Sequence, residues 1–233
     1  IEDLSKSKYK ENFIIGTGFN SLSDTILLMK TSQLLDMKKF LIMPPAYYFY
    51  KDKDVINFYN KLIENIPECK IILYNFEKLC GYKFSIHCVE SLAKKYPKQI
   101  IGVKDSTYNL YENLNIDNFS ILPGSELKLL KGLELGCSGI ITATCNVTAN
   151  LSRKVYDDFK NKKGQKHNEK LCNVRAAFDK YNLISGMHSF LSDADNCFNN
   201  ILPPLSLLDS KEKEKLFEKI NKLDFNSKFL KVA

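Results

Sequence analysis

Arginine is nearly missing from this chain. Among 34 basic residues only Arg153 and Arg175 carry a guanidinium, the group that bidentate phosphate and base recognition usually uses. The formal charge of +7 and pI near 8.9 therefore rest on lysine, and nucleic acid is not an expected partner. Long apolar runs are missing too. None approaches the roughly 18 residues of a membrane span, and the first residues lack a basic-then-apolar signal pattern. A cytoplasmic protein with no membrane partner is expected. The seven cysteines (Cys69, Cys80, Cys88, Cys137, Cys145, Cys172, Cys197) are odd in number and never spaced C-x-x-C. Neither a disulfide framework nor a zinc site is indicated, and buried thiols are expected. His87, His167 and His188 stand apart from one another, so neither a metal site nor a Ser–His–Asp set is expected. "GTGFNS", residues 16–21, lacks the third glycine of a dinucleotide fingerprint.

What is present is an alternation. The 233 residues are 44% hydrophobic and 26% charged, ordinary for one larger globular domain. Six apolar runs read as strands: "FIIGTG", "FLIMPP", "KIILYN", "IIGVKD", "SILPGS" and "GIITAT". Each precedes a helix-like stretch: residues 23–38, 54–66, 85–96, the short "YNLYENL" at 108–114, 126–136 and 150–162. Asn20, Ser85 and Ser125 sit where N-caps belong, and Gly136 follows a helix.

Apolar strands without alternation imply burial on both faces, as in a parallel sheet covered by helices. An open doubly wound sheet or a (β/α)8 barrel satisfies that pattern. The strand ends favour the barrel, because Thr17, Gly18, Pro44, Pro45, Tyr74, Asn75, Lys104, Asp105, Gly124, Ser125, Thr142 and Thr144 stand where a barrel keeps its site. We expect an incomplete barrel of six βα units over residues 1–163 and a helical extension over 164–233. The chain opens at Ile1 on a charged stretch, and we expect it to begin partway through a larger protein.

"IIGVKD" places a lysine at the end of a buried strand. Period-two alternation puts Ile100, Gly102 and Lys104 on one face, and Ile72 and Tyr74 on one face of "KIILYN". On neighbouring strands, roughly 4.8 Å apart, Lys104 and Tyr74 come within reach of each other. A lysine between apolar walls has its ammonium disfavoured, so a neutral amine can attack a carbonyl to form a Schiff base. A neighbouring tyrosine can carry the protons this chemistry needs. The same pattern also admits an ion pair of Lys104 with Asp105 and a merely packed Tyr74. "AYYFY", residues 46–50, reads as a packed loop or an oligomer contact.

The ordered set "GTGFNS", "PPAYYFYKD", "ILYN", "IGVKDST", "PGSE" and "GIITATCNV" resembles the dihydrodipicolinate synthase / N-acetylneuraminate lyase family of Schiff-base aldolases. The resemblance runs from about Phe13 to Phe159. It implies that Lys104 forms a covalent imine with pyruvate or another 2-keto acid, with no further cofactor. It makes Tyr74 the acid/base hydroxyl, and Tyr47 a partner in a proton relay across a subunit contact. It assigns Ile141 a backbone contact to the keto acid. Gly124, Ser125 and Glu126 replace a segment that meets sugar hydroxyls in the lyases, and Ser106 stands where a lyase has threonine.

Two departures shape the substrate expectation. Glu77 replaces the proline of the family's Tyr-Asn-x-Pro, and Leu79 occupies the position where the synthases hold a carboxylate with arginine. Cleavage of a 2-keto-3-deoxy sugar acid or sialic-acid-like substrate is therefore expected ahead of condensation with aspartate semialdehyde. A non-catalytic keto-acid-binding or structural barrel is the remaining alternative. The family's first two βα units have no counterpart here, a difference of about 50 to 60 residues. The resemblance also implies a homo-oligomer, a dimer or tetramer.

Overall fold

The computed structural model describes residues 1–226; residues 227–233 of the expected helical extension lie outside the described residues. The chain divides into two compact units, one ending at Pro123 and one starting at Gly124. The first unit contains the short helix α1 (Glu2–Ser5), β1 (Ile15–Gly16), α2 (Leu22–Leu34), β2 (Lys39–Ile42), α3 (Asp52–Asn65), β3 (Lys70–Asn75), α4 (Glu77–Cys80), α5 (Ile86–Lys95), β4 (Ile100–Asp105) and β5 (Ser120–Pro123). Its strands form one parallel sheet in sequence order.

Alternation along these strands sorts the side chains onto two faces. Phe40, Ile42, Ile71, Leu73 and Val103 are buried, as are Val55, Tyr59, Leu62, Val89 and Leu92 from the helices between the strands. Tyr59 also donates its hydroxyl to the Ile42 carbonyl at 2.8 Å, so the polar end of a fully buried ring is satisfied. On the other face, register aligns Leu41 with Ile72, Ile72 with Gly102, and Tyr74 with Lys104. A Cβ on Gly102 would lie 2.5 Å from the Ser120 carbonyl oxygen, so this close approach of β4 to β5 requires glycine.

The sequence pattern and the structure differ in particular places. "GIITAT" forms no strand: residues 139–144 enter no ladder, and Gly139 has φ of +148°. An apolar run needs a paired neighbour to become a strand, so the described residues hold five strands where six were expected. "YNLYENL" is a set of turns because Asp105 takes up the N–H groups of Tyr108, Leu110 and Tyr111. Such side-chain acceptors compete with helical bonding. The N-cap of α2 is Ser21, which accepts from Asp24 N; Asn20 instead accepts from Ala46 N at 2.8 Å. Ser85 caps α5 as expected.

The second unit is helical: a 3-10 turn (Glu126–Lys128) capped by Ser125, then α6 (Leu129–Glu134), α7 (Cys145–Lys160), α8 (Asn168–Phe178), α9 (Leu183–Leu191) and α10 (Ser210–Lys222). Two apolar clusters hold it together. Val147, Phe178, Phe190, Leu216 and Ile220 lie in one; Leu129, Leu133, Val155 and Leu171 form the other.

Candidate active site

Lys104 is the next-to-last residue of β4, with Tyr74 as its register partner on β3 and Leu122 as its partner on β5. Its Nζ lies 3.9 Å from the centroid of the Tyr74 ring. The amine is half-buried, and burial lowers its pKa to about 8. An aromatic face attracts a cation but solvates it less well than water does. Tyr74 is raised above the usual phenol range by burial, with hydrogen bonding from Ser106 acting in the opposite direction. Its ring also stacks on Phe76 at 6.0 Å. Lys104, Tyr74 and Ser106 are thus brought together at the C-terminal ends of two adjacent strands.

Asp105 is not the ion partner of this lysine. It points to the opposite face, fully buried, where Oδ1 accepts from Asn75 Nδ2 and Tyr108 N, and Oδ2 from Leu110 N and Tyr111 N, all at 2.8–3.0 Å. In the sequence Asn75 and Asp105 stand as polar strand ends, and Asp105 also reads as an ion partner of Lys104. Their in-register placement, directly after Tyr74 and Lys104, was the signal that they meet.

Tyr47 is 88% exposed at φ of +90°, with the Tyr48 ring edge-on at 5.1 Å. Leu79 is 56% exposed on α4. In the second unit Ile141 is half-buried in the irregular segment 139–144, and Gly124 is half-buried ahead of the buried cap residue Ser125. Glu126 is fully buried: Oε1 accepts from the hydroxyls of Thr144 and Thr148, and Oε2 from Thr142 and Arg175 Nη1. Burial alone would raise this carboxyl; the Thr144 and Thr148 hydroxyls and Arg175 outweigh it and hold the carboxyl below its ordinary range. Both Glu126 oxygens are taken by protein partners, and Arg175, which sequence reasoning missed, is the central donor. Nothing in the sequence marks Arg175 except the rarity of arginine. Among the described residues no group of three or more His, Cys, Asp or Glu could hold a metal ion, and no helix is long and apolar enough to cross a membrane.

The sequence model of the dihydrodipicolinate synthetase family matches residues 5–223. The chain belongs to this family. Curated relatives include a 4-hydroxy-tetrahydrodipicolinate synthase of Buchnera aphidicola subsp. Cinara cedri, 31% identical over 65% of this chain and 52% of the relative. A 2-dehydro-3-deoxy-D-gluconate/2-dehydro-3-deoxy-phosphogluconate aldolase of Picrophilus torridus is 28% identical over 65% of this chain and 58% of its own. The chain spans a little over half the length of such relatives. Among solved structures, a dihydrodipicolinate synthetase-like protein from Pseudomonas aeruginosa aligns with a TM-score of 0.82 at 16% identity, covering 90% of this chain and 74% of that one. The synthase from Methylacidiphilum fumariolicum aligns at 0.78 and 20% identity over 91% and 75%. These likenesses establish the (β/α)8 barrel class of the fold.

Proposed function

We propose that the protein is a class I aldolase or lyase in which Lys104 forms an imine with pyruvate or another 2-keto acid. The observation that carries this reading is the desolvated Lys104 amine lying over the ring of its in-register neighbour Tyr74. The neutral amine adds to the C2 carbonyl with the Tyr74 hydroxyl relaying the amine proton to oxygen, and Tyr74 then protonates the departing hydroxyl, so that water leaves, an iminium ion forms and Tyr74 is left as phenolate. In the cleavage direction the C3–C4 bond breaks and its electron pair passes into the iminium, leaving an enamine. The C4 hydroxyl proton goes to the Tyr74 phenolate, and the carbonyl product departs. Protonation of C3 and hydrolysis then return pyruvate and the free amine.

For the substrate we favour a 2-keto-3-deoxy sugar acid. Leu79 is apolar and supplies no cation for the carboxylate of aspartate semialdehyde, and the Picrophilus torridus relative bears an aldolase name. We further read the protein as a homo-oligomer, a reading supported by the exposed aromatic run Tyr47, Tyr48 and Phe49; Tyr47 would join the relay at such a contact. Borohydride reduction in the presence of pyruvate, followed by peptide mass spectrometry, tests the central step. An adduct on Lys104 is expected, with a trapping rate that climbs as pH rises through about 8 and frees the amine. Absence of an adduct at every pH rejects the Schiff-base reading and leaves the non-catalytic one. Coupled assays with both substrate classes then rank the sugar acid against the semialdehyde.

A further inference from the structure

Two strand ends meet at the site, and each carries a polar residue just beyond the reactive one. Register pairs Tyr74 with Lys104 and Asn75 with Asp105. The first pair faces the site and the second faces away. Both members of the second pair are fully buried, a placement that a carboxylate and an amide tolerate only when every polar atom is bonded.

The bonding is complete. Asn75 Nδ2 donates to Asp105 Oδ1 and to Asn109 Oδ1, each at 2.8 Å, and Asn75 Oδ1 accepts from Phe84 N at 3.1 Å. Asp105 accepts four hydrogen bonds, three of them from the backbone of the turn that follows β4. Asn109 Nδ2 closes the circuit on the Phe84 carbonyl at 2.9 Å. Two further links run alongside: Ser106 N donates to the Asn75 carbonyl, and Glu77 N donates to the Thr107 side-chain Oγ1. β3 and β4 already carry a register shift between Ile71 and Ile72, so the ladder alone constrains these ends less than a regular one would.

We infer that Asn75 and Asp105 are a positioning pair that locks the register of β3 and β4 at their ends and thereby fixes the Lys104 amine against Tyr74. The inference rests on the Schiff-base reading above. Neither residue touches a substrate; each acts through the residue before it.

Asn75→Ala removes the cross-strand bond without changing charge. On the folded fraction, the saturating rate of pyruvate trapping on Lys104 should fall, by about 100-fold if the amine and phenol part by about 1 Å. The half-saturating pyruvate concentration and the pH midpoint of trapping should stay near wild type, a split that simple loss of folded protein does not produce. Asp105→Asn, which keeps the shape and one acceptor oxygen, is the second variant if Asn75→Ala does not fold, and the same rate loss is expected. Wild-type trapping rates in the folded fraction of either variant overturn the positioning role while leaving Lys104 as the nucleophile. A wild-type protein that forms no adduct overturns both readings together.

Discussion

At Lys104 a cost in folding and the chemistry proposed above share one cause. Burial lowers Lys104 to about 8, whereas the unfolded side chain titrates near 10.4. Below pH 8 both states bind the proton and the fold bears the whole cost of a desolvated ammonium. Between about 8 and 10.4 only the unfolded chain keeps it, so stability contributed by this position rises with pH. Lys104→Met should therefore stabilise the protein at pH 7 by roughly 1 to 3 kcal/mol, an advantage that fades by about pH 10.5. Paired thermal melts across that range check the sign. The lysine, its tyrosine and their shared face were legible from alternation in two short strings. What Asp105 does was not, since a carboxylate beside a lysine in sequence reads as its partner, and only the backbone turn at 106–111 reveals the donors that claim it.

At the scale of elements, strands with paired neighbours were the readable part, and "KIILYN" and "IIGVKD" became strands over the predicted residues. "GIITAT" did not, because composition cannot say whether a neighbour is there to complete a ladder. "YNLYENL" failed for a different reason, a side-chain acceptor located outside the window being read. Long-range polar networks were equally invisible: Arg175 on α8 joins Glu126, Thr142 and Thr144 across a sequence separation that no motif spans. Arg175→Met should destabilise the protein by about 3 to 5 kcal/mol, because Glu126 would remain ionised and buried with its cation gone. Glu126→Gln combined with Arg175→Met should recover part of that loss. Urea titrations of the single and double variants measure both outcomes.

For the molecule as a whole, the exposed run of Tyr48, 67% accessible, and Phe49, 98% accessible, is unusual for side chains of this size. Phe49→Asp should shift sedimentation toward a smaller species if this edge joins copies of the chain; an unchanged profile would place the contact elsewhere. The family and fold class were legible because the order of strand-end motifs survives where overall identity is low. The desolvated amine has one more consequence, for handling. Cyanate carbamylates neutral amines, and about a tenth of Lys104 is neutral at pH 7, against roughly one part in three thousand for an ordinary lysine. On the Schiff-base reading proposed above, aged urea or slow storage would thus inactivate the protein at one position well before its surface charge changed, and pyruvate in the buffer would protect it.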